Sequence, residues 1–267
     1  MSTTAPYILV TNDDGINSAG LRAAVEALLP LGELLVVAPN RQWSGAGRAM
    51  PKIVSGEITP VPYRTAQGVE VRAYSMDATP ALCVVAAMLQ LASRPPDLLV
   101  SGINFGENVS TEVTISGTIG AALEGATFGI PSLAVSMEMS IAHHLVGNQE
   151  EDYLAAKAFT LRFSRLLLSK SLPFDVDVLS INLPSDATPE TPWLLTRLSR
   201  HRYFIPTPPK EPGDAGYRVM DHPERAEVGS DIWCLHAARK VSVTPLSLDM
   251  TSRVDFGMLE ELLRQED

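Results

Sequence analysis

The sequence predicts an α/β fold, a mostly parallel sheet flanked by helices, with a C-terminal β-hairpin arm and a terminal helix. Three observations lead there. Short apolar runs over residues 7–10, 34–38, 97–101 and 132–136 are bounded by polar turn residues, as in strands buried on both faces of a sheet. Segments with helical spacing separate them, so successive strands are joined by right-handed parallel crossovers. The chain has 267 residues, 45% of them hydrophobic and 19% charged, which permits one large core and excludes a disordered or fibrous protein.

The first strand, Tyr7 to Val10, runs directly into Asn12, Asp13, Asp14 and Gly15. In open α/β sheets, ligands sit beyond the carboxyl ends of such strands. Adjacent carboxylates repel, so the pair favours a bound cation or a retained proton, and oxygen donors suit a hard cation such as Mg²⁺ or Mn²⁺. Equally, either aspartate suits the cap of a helix that starts near Ser18. Leu21, Val25, Leu28 and Leu29 give that helix its apolar spacing, and Pro30 and Gly32 end it. The second strand, Leu34 to Ala38, discharges into a loop reaching Arg48. There Ser44 and Gly45 can bring a hydroxyl and backbone groups toward an ion or phosphate, and Arg41 or Arg48 can meet an anion. The plainer alternative is a solvated surface loop.

Residues 51–71 alternate Pro, Gly, Thr and Val, which suggests short β pieces, and 69–74 reads as a strand. Thr79 and Pro80 open a buried helix over 81–91, stopped by Pro95 and Pro96. Strand 97–101 then leads into Gly102, Ile103 and Asn104. Asn104 offers a neutral carbonyl oxygen to a cation, or is only a turn residue. Farther on, a stretch of small residues passes into a helix whose start, Ser116, Gly117 and Thr118, presents N–H groups and hydroxyls at its positive end. That is an anion cradle, unless its glycines serve helix packing. It is not a Gly-Lys-Ser/Thr phosphate loop, and no GxGxxG motif is present.

Strand 132–136 comes next, and adjacent His143 and His144 cannot share one helical face as ligands, which suits a loop role. A helix over 153–168 takes apolar spacing from Leu154, Ala158, Leu161, Phe163 and Leu167. Strand 175–183 reads as the last of the core. Beyond it, Pro184, Pro189, Pro192, Pro206, Pro208, Pro209 and Pro212 forbid helix, while 193–198 and 203–205 are strand-like, so an extended hairpin arm is expected. Residues 241–246 alternate as a strand and 255–264 form a terminal helix. The expected division is a catalytic core over 1–183 and a subunit-association region over 184–267.

Charge narrows the partners. With 31 acidic and 21 basic residues, the formal charge is −10 and no Lys/Arg cluster occurs, so a nucleic acid polymer and an anionic membrane are not expected partners. A small anion can still bind where a local metal outweighs the net field. Cys83 and Cys234 show no metal-ligand spacing and read as buried thiols in a reducing compartment. Met1 to Pro6 lack a charged start and an apolar core, so a cytoplasmic protein is expected.

Five motifs in order, Leu9 to Gly15, Ala38 to Gly45, Val100 to Gly106, Ser116 to Gly125 and Val241 to Leu246, together resemble the survival protein E (SurE) nucleotidases. The resemblance spans most of the chain. It implies a Rossmann-like core and one divalent cation, Mg²⁺ or Mn²⁺, held by Asp13, Asp14, Ser44 and Asn104. It also implies hydrolysis of nucleoside 5'- and 3'-monophosphates, some activity on short polyphosphate, and a subunit-exchanged C-terminal region in a homodimer or homotetramer. On that reading Asn12 orients the phosphate or water, Asp13 or Asp14 accepts a proton, and Ser116, Gly117 and Thr118 hold phosphoryl oxygens. One departure stands out: Leu82 occupies a position where the family usually has an acidic residue, which bears on local loop geometry. The rivals are a phosphoacceptor signalling domain, which lacks its acceptor aspartate here, and a nucleotide-binding protein without turnover.

Overall fold

The computed structural model describes residues 5–52, 55–138, 153–208 and 216–264. β1 (Tyr7–Thr11) is wholly buried and divides its side chains between two cores. Ile8 and Val10 pack toward α1 (Ala19–Leu28) and α4 (Leu154–Ser169). Tyr7 and Leu9 pack toward α2 (Pro80–Ala86) and α3 (Gly117–Thr127). The two-residue period of a strand makes such a double burial possible only where both parities are apolar.

β1 lies between β2 (Glu33–Pro39) and β6 (Leu98–Phe105), both parallel to it. On one side β2 is followed by β5 (Glu70–Met76), with β3 (Ile58–Pro60) and β4 (Tyr63–Arg64) antiparallel on β5. On the other side come β7 (Ser132–Met137) and β8 (Val178–Leu183), again parallel. The chain therefore builds outward from β1 in one direction and then, from β6, in the other. The crevice between the carboxyl ends of β1 and β6 is the topological switch point, the place where such sheets bind ligands.

Each of α1, α2 and α3 begins on a hydroxyl cap. Ser18 accepts from the Leu21 amide (3.2 Å), Thr79 from Leu82 (3.3 Å) and Ser116 from Ile119 (3.2 Å). The Leu82 position thus keeps an ordinary capped helix start, its side chain packing against the second core. The helix continues through a π turn over Ala87–Leu91.

Several expectations are corrected. β6 does not stop at Ser101 but continues to Phe105, because Gly102 lets the strand slip register against β7 between Ser101 and Asn104. Nor does the sheet end at residue 183: β12 (Val241–Leu246) pairs antiparallel with β8, and β9 (Trp193–Leu195) adds to β12. Residues 193–195 consequently lie on the main sheet, and the hairpin forms instead between β10 (Phe204–Pro206) and β11 (Tyr217–Val219). A further short helix, α5 (Asp231–His236), was not signalled by spacing, being under two turns long. In α4 the buried stripe is Ala155, Ala156, Phe159, Phe163 and Leu167, and Leu154 is exposed. The terminal helix α6 (Phe256–Arg264) presents Phe256, Met258, Leu262 and Leu263 to solvent. His143 and His144 lie outside the described residues. Among the described residues no helix is long and apolar enough to cross a membrane.

Gly20 shows how tightly α1 meets the site-bearing strand, since a Cβ there would lie 1.9 Å from the Ile103 carbonyl oxygen. An alanine normally favours a helix over glycine. Here the sign reverses: Gly20→Ala is expected to cost about 1 to 3 kcal/mol through overpacking against backbone. Urea unfolding reads this as a lower midpoint, and a midpoint equal to or above wild type would show that α1 can move aside freely.

Candidate active site

The turn after β1 is shaped by Asn12. Its Oδ1 accepts from the Gly15 amide (3.2 Å), while its Nδ2 donates to the Gly15 carbonyl (3.2 Å) and to Ser18 Oγ (2.7 Å). The buried Asn12 side chain is therefore committed to the loop, which differs from the expectation that it faces a phosphate. Because Ser18 caps α1, neither aspartate has that duty.

Asp13 is buried and faces the start of α3. The Thr118 hydroxyl donates to it, and the Gly117 and Thr118 amides also reach its carboxylate. A Cβ on Gly117 would lie 2.7 Å from the Asp13 Cβ, so this approach requires glycine. The positive end of α3 thus cradles an anion, as read from the sequence, but the anion it meets is a side chain of the protein itself. Thr118, expected to hold phosphate, has its hydroxyl engaged by Asp13 and its side chain fully buried. Ser116 caps the helix as an acceptor, which leaves its own hydroxyl proton to donate. The other glycines of α3 serve packing: a Cβ on Gly120 would meet Gly47 O at 2.4 Å, and one on Gly125 would meet Leu99 at 2.5 Å.

Asp14 is half-buried and is held from the opposite side. Its Oδ2 accepts from the Phe105 amide (3.0 Å), and its Oδ1 from Gln42 Nε2 (3.4 Å). The first of these bonds brings the tip of β6 against the tip of β1. Asn104, next in sequence to Phe105, donates from Nδ2 to the Gly106 carbonyl (2.7 Å), which makes Oδ1 the end free to serve as a donor atom toward a ligand. Gly102 is needed for this path, with φ +130° and a would-be Cβ 2.3 Å from the Val135 carbonyl oxygen.

The loop after β2 closes the site. Trp43 donates its amide to the Asp13 carbonyl (2.8 Å), and Gly47 donates to the Ile115 carbonyl (2.8 Å). Ser44 follows Trp43 in an exposed turn. Arg48 pairs with buried Glu124 of α3 at 2.7 Å, and Arg41 lies over the Trp43 ring at 4.4 Å. Both arginines considered for an anion therefore have partners within the fold.

Sequence reasoning missed Gln42, Glu124 and the buried hydroxyls of Thr11 and Ser101. Those two hydroxyls lack a protein partner among the described residues and sit opposite each other in the β1/β6 register. An Arg in a small-residue loop followed by a Glu in a small-residue helix was a signal for the Arg48–Glu124 pair. Nothing local marked the rest.

Neither Asp13 nor Asp14 has a cationic side chain within 4.0 Å among the described residues. Burial raises the Asp13 carboxyl above its ordinary range. Asp14 is pushed up to about 7, first by burial and then by the charge of Asp13, against the opposing hydrogen bonds from Phe105 and Gln42. Such a pair suits a hard divalent cation, which would relieve the repulsion, and Asn104 and Ser44 carry neutral oxygens on the neighbouring strand end and loop. Among the described residues no group of three or more His, Cys, Asp or Glu is arranged to hold a metal.

A doubly wound sheet with paired acids at its switch point, facing a capped helix start, defines an α/β protein with an acidic strand-tip site. Residues 8–204 match the family model of survival protein SurE. The chain is 45% identical to the 5'-nucleotidase SurE of Thermococcus kodakarensis, covering 96% of this chain and 98% of that one. It is 39% identical to the 5'-nucleotidase SurE of Archaeoglobus fulgidus, covering 95% of each. The crystal structure of the SurE protein from Aquifex aeolicus superposes with a TM-score of 0.74 at 30% identity, covering 98% of this chain and all of that one. The chain belongs to the SurE family.

A carboxyl raised in the folded state binds more protons folded than unfolded, so Asp14 contributes stability to the metal-free protein that is lost as pH rises from about 4 to about 7. Asp14→Asn abolishes that loss. The metal-free variant is expected to melt above metal-free wild type at pH 8, whereas added Mn²⁺ raises the melting temperature of wild type alone. A variant that melts lower at pH 8 and responds equally to Mn²⁺ would contradict the assignment.

Proposed function

We propose that the protein is a divalent-metal-dependent phosphomonoesterase that hydrolyses nucleoside 5'- and 3'-monophosphates to nucleoside and inorganic phosphate. The observation that carries this reading is the Asp13–Asp14 pair, unneutralised by any described cationic side chain and set at the switch point beside the start of α3. Membership of a family whose relatives are named 5'-nucleotidases supports the same conclusion. Short-chain polyphosphate is a further substrate on the family resemblance.

Asp13, Asp14, Asn104 and Ser44 would hold the cation. When bound, a Mg²⁺ or Mn²⁺ ion supplies charge neutralisation at phosphoryl oxygens and makes water more acidic. The protein's own contribution is placement. Thr118 and the first amides of α3 fix Asp13, the Phe105 amide fixes Asp14, and Asn12 holds the loop between them as a positioning residue. The Ser116 hydroxyl, whose proton is not used in capping, donates to a phosphoryl oxygen. Asp14, the more accessible of the two acids, accepts the proton of the attacking water as its oxygen bonds to phosphorus, and as the ester bond breaks the nucleoside oxygen leaves as a hydroxyl, taking its proton from solvent. Met250, Phe256, Met258, Leu262 and Leu263 are exposed around the terminal helix, an apolar surface that fits a second copy in a homodimer or homotetramer. The acidic surface disfavours a nucleic acid polymer as substrate.

Incubation of the protein with AMP and Mn²⁺ is expected to release inorganic phosphate, with Asp14→Asn lowering the rate on the order of 10²-fold or more, as for loss of one preorganised electrostatic partner. Tight AMP binding without phosphate release would favour a binding protein. Undiminished turnover by a folded, metal-saturated Asp14→Asn protein would remove Asp14 from the site.

A further inference from the structure

Residues 105–115 join the two halves of the site. At one end the Phe105 amide holds Asp14, and at the other Ser116 caps the helix whose first amides hold Asp13. Any shift of this loop would move the donors on both carboxylates. Its middle is fastened to the region beyond residue 198. Glu107 accepts from the Tyr203 hydroxyl (2.7 Å), and Glu112 from the Tyr203 amide (3.3 Å). Val109 is buried in a separate apolar cluster with Tyr203, Ala226, Ile232 and Leu235. Ser110 donates its amide to Asp231 Oδ2 (2.6 Å), and its hydroxyl to the carbonyls of Ser199 (3.2 Å) and His201.

Ser110 is fully buried with φ +61°, a left-handed conformation that a residue with a Cβ keeps only where its surroundings impose it. Asp231 meets its amide, while its hydroxyl is held by the Ser199 and His201 carbonyls. The buried Asp231 carboxylate gathers three backbone N–H donors, from Ser110, from Ser199 (2.9 Å) and from Ile232 (2.9 Å), so that one side chain ties the loop, the C-terminal region and α5 together. We infer that Asp231 is a positioning residue for the acidic site: through Ser110 it fixes the loop whose two ends set the donors on Asp13 and Asp14. The C-terminal region thereby acts on the geometry of the site within a single chain, apart from any part it takes in assembly. The catalytic consequence rests on the phosphomonoesterase reading, whereas the mechanical one does not.

Asp231→Asn keeps the shape but turns an N–H₂ toward backbone donors. Two measurements on the full-length variant separate the possibilities. Amide hydrogen exchange is expected to quicken at Phe105, Gly117 and Thr118, with protection in β1, β2 and β5 unchanged. The apparent Mn²⁺ affinity and kcat for AMP are expected to fall about tenfold, the scale for loss of a group that orients metal ligands. Adding Ser110→Gly, which needs no help to hold a positive φ, is expected to restore part of both. Tyr203→Phe deletes the hydroxyl that meets Glu107 and His236 and serves as a milder variant should Asp231→Asn not fold, with the same direction expected in both readouts. If exchange at those amides and Mn²⁺ affinity both stay at wild-type values in a folded variant, Asp231 does not position the site. Wild-type protein inactive on AMP would overturn the phosphomonoesterase reading, while the exchange result would still decide the role of Asp231.

Discussion

Two carboxylates on consecutive residues, brought out of water with no described cationic side chain beside them, set the terms for the rest of this structure. Left alone, Asp13 and Asp14 repel each other and resist burial, which is why Asp14 is pushed up to about 7. A protein that wanted only stability would replace them. Instead several parts of the chain are shaped to hold them: Asn12 and Gly15 fold the turn, α3 directs its first amides at Asp13, and β6 sends the Phe105 amide to Asp14. Local destabilisation retained against such effort is the usual mark of a functional site.

The sheet makes that arrangement possible. Because β1 is buried on both faces, its carboxyl end is a rigid platform. Because the chain reverses its direction of growth between β1 and β6, no crossover connection covers the crevice between them. Glycine at 102, 117 and 120 admits backbone or side-chain neighbours at distances that a Cβ would forbid, and each of these contacts draws one more segment toward the acids. The loop after β2 is locked to α3 by the Arg48–Glu124 pair, so Ser44 is carried by a tethered turn.

Much of this was legible in the sequence, for local reasons. The apolar run before Asn12, the hydroxyl of Thr79 before Pro80 and the small residues of α3 are short-range patterns, and each corresponds to the element it suggested. What escaped depends on contacts between distant residues. Phe105 and Asp14 are 91 positions apart, and Thr118 and Asp13 are 105 apart, so no spacing rule links them. The continuation of β6 past Gly102 was hidden because a glycine inside an apolar run reads as a stop. The docking of 199–204 and 226–235 was hidden because it uses backbone groups, Asp231 and Tyr203 rather than a periodic face. Proline in 184–212 removed the helical signal without indicating which strands would pair.

Crystals grown with Mn²⁺ and measured at the manganese absorption edge would test the central claim most directly. An anomalous peak enclosed by oxygens of Asp13, Asp14, Asn104 and Ser44 is the predicted result. A peak seated elsewhere on the molecule, with Asp13 and Asp14 making only the contacts they make to Thr118, Phe105 and Gln42, would contradict it.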